Sequence, residues 1–234
     1  KKNCKIYLDQ HGGNFSFVNE KLYLFYEKKI SKKIYFWDKI SNKQNNSKFM
    51  SFKINEINND KNLYKKKYNV CFVLSYLKEY DFQNEFHENY DYDYKLSQLK
   101  DFFHFLNDSS NSVIKIPANR YDNQIKKSDF YNLGFKKNQI LESKSTFFES
   151  NILVFEHLST VLFETRKKDI PFIIILKKKN FFLSNKGKNI LNKFKKENLL
   201  FEKGKDAALF LNSLNNFEEW WKSKNKFLTS IFYN

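Results

Sequence analysis

One stretch narrows the fold more than any other: Asn151 to Leu176, NILVFEHLSTVLFETRKKDIPFIIIL. Ile152 to Phe155 is an apolar run of strand length, and Glu156-His157-Leu158-Ser159-Thr160 breaks it with polar groups. Val161 to Lys168 suits an amphipathic helix, Pro171 ends it, and Phe172 to Leu176 is continuously apolar and rich in β-branched residues. A strand that is apolar at every position is covered on both faces, as in a parallel sheet flanked by helices. Strand, turn, helix and strand make a βαβ unit, which sets Glu156 to Thr160 beyond the carboxyl end of a parallel strand. Open α/β sheets take their ligands at that edge. A helix starting there presents free N–H groups and a positive dipole end, suited to a phosphate.

The rest of the chain repeats the theme. Lys5 to Leu8 reads as a strand, Val18 to Lys29 as a helix and Ile34 to Trp37 as a short strand. Residues 41–69 are polar, rich in Asn and Lys, and read as a loop or linker with one short strand near Phe49 to Ile54. Val70 to Tyr76 (VCFVLSY) is a buried strand, and Val113 to Ile116 is the next. Between them Leu96, Leu99, Phe102, Phe103 and Leu106 recur at helical spacing over Tyr94 to Leu106. Asn123 to Leu133 reads as a short helix closed by Gly134. Helices follow over Lys186 to Asn198, Asp206 to Leu214 and Phe217 to Phe232, with a short edge strand at Leu199 to Phe201. Four βα-type units from Val70 onward, without hairpin signals, predict a doubly wound, mainly parallel, Rossmann-like α/β sheet. The Trp220-Trp221 pair is expected to clamp the closing helix back onto the body.

The net charge of +16 invites a nucleic-acid reading. Among the 42 basic residues, however, only Arg120 and Arg166 are arginine, the side chain best suited to grip phosphates and bases. The lysine excess comes with Asn, Ile, Phe and Tyr, the signature of an AT-rich coding sequence, and the lysines are spread along the chain. A solvated basic surface is the expected outcome. An alternative is a basic module for single-stranded nucleic acid, given the aromatic fraction of 19%. A third is a non-catalytic α/β domain. Cys4 and Cys71 lie in apolar strand contexts, which predicts buried, reduced thiols as in a cytosolic protein. No apolar run reaches the roughly 18–20 residues that span a bilayer. The chain opens inside a strand-like run, which predicts a piece cut from a longer protein.

Chemistry-bearing residues collect in a few places. Asp9-Gln10-His11-Gly12-Gly13-Asn14 follows the first strand. Paired glycines permit close backbone approach to a ligand, and His11 could donate a hydrogen bond or move a proton; a tight turn with an incidental histidine is the plainer reading. Arg120, just past the strand that ends at Pro117, suits an anion or a surface salt bridge equally. The acidic, aromatic segment 77–93 lacks metal-ligand spacing and reads as a solvated loop. There is no G-x-G-x-x-G, P-loop, G-x-S-x-G or zinc signature.

Taken in order, three elements carry a resemblance: Asp9-Gln10-His11-Gly12-Gly13 before a helix and a Trp; His157-Leu158-Ser159-Thr160 with Leu162-Phe163-Glu164 and Ile170-Pro171; and the late Trp220-Trp221. Together they resemble a family of bacterial transferases of surface-carbohydrate biosynthesis, similar to GT-B glycosyltransferases and to capsule and teichoic-acid polymer transferases. The resemblance covers nearly the whole chain and corresponds to the C-terminal half of a family member. It implies an active site in the cleft between two domains. Residues 1–40 would be the tail of the N-terminal domain or a crossover, 41–69 a linker, and 70–234 the nucleotide-donor-binding domain. Gly12, Gly13, Asn14, His157, Ser159 and Thr160 would hold the donor, with the diphosphate at the helix start, and Glu164 would take ribose or sugar hydroxyls. Arg120 would neutralise the departing phosphate without a metal, and His11 would act as base or polar contact. Implied partners are a nucleotide-sugar donor and a carbohydrate or lipid-linked acceptor. A cytoplasmic location is implied, with peripheral contact at the anionic inner membrane face. Trp37-Asp38-Lys39 departs from the Trp-Gly-Trp of the family.

Overall fold

The computed structural model describes residues 4–9, 17, 22–36, 65–74, 92–116, 126–141, 147–158, 160–177 and 183–232. Six parallel strands form the central sheet: β3 (Tyr68–Val73), β4 (Ser112–Lys115), β5 (Ile140–Leu141), β6 (Ser150–Phe155), β7 (Phe172–Ile175) and β8 (Leu200–Phe201). Their spatial order is β5-β4-β3-β6-β7-β8, the doubly wound arrangement in which the chain runs outward from the middle in both directions. The helices along this part are α2 (Tyr92–Phe105), α3 (Lys127–Asn132), α4 (Thr160–Lys167), α5 (Asn185–Lys196), α6 (Gly204–Asn212) and α7 (Phe217–Phe232). Ahead of them β1 (Tyr7–Asp9) and β2 (Lys33–Tyr35), joined through α1 (Leu22–Ile30), pair in parallel with each other as a separate two-stranded sheet.

The strands are apolar throughout because each feeds two cores in alternation. Cys71, Val73, Leu153, Phe155, Phe172 and Ile174 belong to one core. Val70, Phe72, Ile152, Val154, Ile173 and Ile175 belong to the other. Successive side chains of a strand point to opposite faces, so a helix layer on each side consumes every position. The first face is closed by Leu162 and Phe163 of α4, Leu191 and Phe194 of α5, and Trp221 and Leu228 of α7. The second is closed by Leu99, Phe102 and Phe103 of α2, Phe130 of α3, and Ala207, Ala208 and Leu211 of α6.

The pairing of α2 with α6 is close at both ends. The Gly204 N–H donates to Gln98 Oε1 at 2.8 Å, and a Cβ at Gly204 would stand 2.1 Å from the Gln98 carbonyl oxygen, so only glycine lets α6 start there. At the far end Asn212 Nδ2 donates to the Phe105 carbonyl at 2.7 Å, while Asn212 Oδ1 accepts from the Asn107 N–H at 3.0 Å. The closing helix is held as its tryptophans predict. Trp221 is buried with its ring 5.1 Å from that of Phe172, and its Nε1 donates to Asp169 Oδ1 at 3.0 Å. Trp220 packs against both cores at the edge of the sheet.

Several expectations need correction. The segment 136–150 contains a strand, β5, that its two residues were too short to announce. The first strand is Tyr7–Asp9 rather than Lys5 to Leu8, and Cys4 before it is exposed, not buried. Helix α3 starts at Lys127, four residues later than its pattern suggests, with Lys126 as its N-cap; α1 is described from Leu22, and residues 18–21 lie outside the described residues. The expected strand near Phe49 to Ile54 lies outside the described residues, as does most of the acidic segment 77–93. No helix of the described residues is long and apolar enough to cross a membrane.

Candidate functional site

The crossovers leave β3 toward β4 and β6 toward β7, so the direction of winding reverses between β3 and β6. Open α/β sheets take their ligands outside the carboxyl ends of the two strands at such a reversal. The register aligns Val73 with Phe155 at this edge. Immediately beyond stand Glu156 and His157, the first residues after β6, opposite the start of α2 with Tyr94 and Lys95. Lys177, after β7, and Glu202, after β8, lie at the same edge.

A buried ionic cluster lies at this edge. Lys95 Nζ is 3.4 Å from Glu156 Oε2, with the two side chains only 3% and 6% exposed. Glu156 Oε1 is in turn 3.8 Å from His157 Nδ1. Burial pushes the His157 pKa down to about 4, with the Lys95 cation assisting and the Glu156 carboxylate opposing. The imidazole is therefore neutral at pH 7, with one nitrogen a donor and the other an acceptor. Among the described residues no hydrogen bond reaches its buried Nδ1. The Phe155 ring meets it edge-on at 6.0 Å. Tyr94 flanks the cluster, donating its hydroxyl to the Glu202 carbonyl at 3.2 Å beneath the Lys177 ammonium, 5.5 Å from its ring. Burial foremost, then the Glu202 and Glu156 carboxylates, raise the Tyr94 pKa.

Of the residues expected to form a site, the structure places three at this edge. His157 is buried in the turn, Thr160 is the first residue of α4, and Glu164 follows one turn later, half-buried. Residues four apart share a helix face, and Glu164 follows four residues after the start of α4 at position 160. Buried Leu162, Phe163 and Arg166 take the opposite side of α4. His11, Gly12, Gly13, Asn14, Arg120 and Ser159 lie outside the described residues.

Sequence reasoning missed Lys95 and did not give Glu156 a role. One signal existed: Lys95 sits four residues before Leu99, in register with the stripe that continues through Phe102 and Leu106. A lysine on the core-facing stripe of a helix is a local contradiction, and burial resolves it by pairing.

A cleft of about 750 Å³ opens at the opposite, amino edge of the sheet and is lined by Lys66, Asn151, Asp169, Pro171, Glu218 and Trp221 among others. Size favours it, but its polar groups are largely spent on the fold. Lys66 donates to the Ser150 carbonyl at 2.7 Å, and Asp169 accepts from both Arg166 and Trp221 at 3.0 Å. The carboxyl edge, with its buried charges and helix start, is the better candidate. Among the described residues no group of three His, Cys, Asp or Glu side chains is arranged to hold a metal ion.

A family model described as the LIC12162 family transferase matches residues 1–226 of the chain. No curated protein and no solved structure matches it.

Proposed function

The chain belongs to the LIC12162 transferase family, and from that premise we propose that it is the donor-binding half of a GT-B-type glycosyltransferase. It would move a sugar or related group from a nucleotide-activated donor during bacterial surface-polysaccharide or lipopolysaccharide synthesis. The observation that carries the reading is the carboxyl edge of the sheet at the reversal between β3 and β6. There α4 begins at Thr160, Glu164 follows one turn on, and a neutral, buried His157 stands in the turn between strand and helix.

In this reading the first N–H groups of α4, with Ser159 and Thr160, take the donor diphosphate. Glu164 accepts hydrogen bonds from ribose or sugar hydroxyls. Neutral His157 adds a hydrogen bond without changing the charge of the site. The backbone of Gly12, Gly13 and Asn14 closes on the donor from the N-terminal side. An acceptor hydroxyl, on a carbohydrate or lipid-linked acceptor, attacks the anomeric carbon while the bond from that carbon to the diphosphate oxygen breaks. His11 takes the acceptor proton, and Arg120 meets the charge of the departing nucleotide, so protein groups do the work a metal does elsewhere. The lysine-rich surface would favour a cytoplasmic enzyme touching the anionic inner membrane face, where lipid-linked acceptors lie.

The test is thermal stabilisation of the chain by CMP, UDP, GDP and CDP, with single-stranded RNA as comparator. A nucleotide at 100 times its dissociation constant adds about 2.7 kcal/mol of stability. Thr160→Ala and Glu164→Ala should each weaken nucleotide binding by about 1–3 kcal/mol, the cost of an unpaired partner in a closed site. Selective stabilisation by one nucleotide, lost in these variants, is the expected result. Affinity unchanged in both variants would sink the reading.

A further inference from the structure

We propose that Lys95 is a further ligand-binding residue at the reversal between β3 and β6: a buried cation, held on Glu156, that receives the pyrophosphate group of the ligand. The inference rests on the transferase reading for the identity of the ligand and on the structure for the role of Lys95.

Three observations support it. The first is position. Lys95 lies in the first turn of α2, beyond the carboxyl end of β3, and Glu156 lies beyond the carboxyl end of β6. Their ion pair at 3.4 Å therefore bridges the point of reversal at which α/β sheets of this winding take phosphates. The second is energetics. Side chains 3% and 6% exposed have lost most of their water, and a buried ion pair rarely stabilises a fold more than apolar side chains of the same size. A cation in the first turn also opposes the helix dipole. Leu or Met in register with Leu99 and Phe102 would serve the core better. Retaining a lysine there is understandable if the charge has a use. The third is the neighbourhood. Glu156 Oε1 lies 3.8 Å from His157, so the carboxylate has a second partner within reach when Lys95 turns to an anion. The clamps between α2 and α6, at Gln98–Gly204 and Phe105–Asn212, fix the helix that carries Lys95.

The consequence is a sign difference between two neighbouring substitutions. Lys95→Met removes the cation while keeping the stem. It should lower affinity for a nucleoside diphosphate by about tenfold or more, the value of a charge-assisted contact, and leave affinity for the bare nucleoside unchanged. Glu156→Gln removes the competing carboxylate and should tighten binding of inorganic pyrophosphate. Lys95→Arg keeps the charge and should keep most of the preference for diphosphate over nucleoside. If Lys95 only ties two elements together, Lys95→Met and Glu156→Gln will both lower the melting temperature and both leave that preference as it is in the wild type.

The experiment is calorimetric titration of the wild type and the three variants with CDP, UDP, GDP, their nucleosides and inorganic pyrophosphate. A diphosphate preference lost in Lys95→Met, kept in Lys95→Arg, and pyrophosphate tightened in Glu156→Gln, supports the assignment. A preference unchanged in Lys95→Met overturns it while leaving the donor reading intact. Should Lys95→Met not fold, Glu156→Gln decides, and pyrophosphate binding equal to or weaker than wild type overturns the assignment. Pyrophosphate binding that depends on Lys95, without any nucleotide binding, upholds the role of Lys95 and removes the nucleotide donor. Absence of all binding to the wild type overturns both.

Discussion

Asp169, in the turn between α4 and β7, gives the sharpest stability test. Its φ is +56°, in the left-handed region, where Asn and Asp are the best tolerated residues after glycine. Its Oδ1 accepts from Arg166 Nη1 at 3.0 Å and from Trp221 Nε1 at 3.0 Å, tying α4, the turn and α7 together. The ion pair is mostly removed from water, with side chains 8% and 18% exposed. Asp169→Asn keeps the backbone preference and an amide oxygen for Trp221, and loses the charge facing Arg166. A charge-assisted hydrogen bond contributes about 1.5–3 kcal/mol and a neutral one about 0.5–1.5, so the change should cost about 1–2 kcal/mol. Asp169→Ala removes the acceptor of both bonds and puts a methyl side chain at positive φ, which adds about 1 kcal/mol. Arg166 keeps its bond to Thr229 at 3.2 Å, which limits the loss. The total for Asp169→Ala is about 3–4 kcal/mol, roughly 2 kcal/mol beyond Asp169→Asn. Urea unfolding followed by tryptophan fluorescence reads this as a lowered midpoint at constant slope. Equal midpoints for the two variants, or an Ala variant within about 1 kcal/mol of wild type, would refute the account of this turn.

The two cysteines should behave oppositely. Burial pushes the Cys71 thiol up to about 12, whereas Cys4 is exposed, so a thiol reagent at pH 8 should label one cysteine quickly in the native protein and both in denaturant. Rapid native labelling of Cys71 would contradict its place in the core. His157 should leave a mark on stability against pH. Its pKa is lowered from 6.5 to about 4 in the fold, so the unfolded chain binds its proton first on acidification. The stability it allows is complete above about 6.5 and lost progressively as pH falls toward 4. His157→Asn should flatten the urea midpoint over that window, and an unchanged pH profile would show that the imidazole is not buried neutral.

What could be read in advance follows from how each feature is encoded. The sheet was legible because both faces of β6 and β7 are covered, which turns the strands into unbroken apolar runs, and because Pro171 and the polar turn punctuate them. Strand β5 was not, since Ile140–Leu141 is two residues long and carries no period. The apolar look of the residues around Cys4 misled because a strand ending in a two-stranded sheet leaves its approach uncovered. Glu164 and His157 were legible as residues near a helix start, but His157 as a neutral, desolvated imidazole was not, because burial is a property of what packs around the turn.

Lys95 shows where local reading and function part company. The later residues on its stripe obey the helical pattern of a core-facing surface: Leu99, Phe102 and Leu106 are all buried. A sequence that specifies one fold satisfies its local rules nearly everywhere, and the positions that break them without weakening the fold concentrate at functional sites. Lys95 breaks two, charge in the core and cation at a helix start, and the carboxylate that compensates comes from the far side of the switch point, more than sixty residues along the chain at Glu156. A pairing made only by tertiary structure, across the reversal between β3 and β6, cannot be inferred from either segment alone. The fold brings the two halves of that contradiction to one place, which is why the charge on Lys95 is the property to perturb.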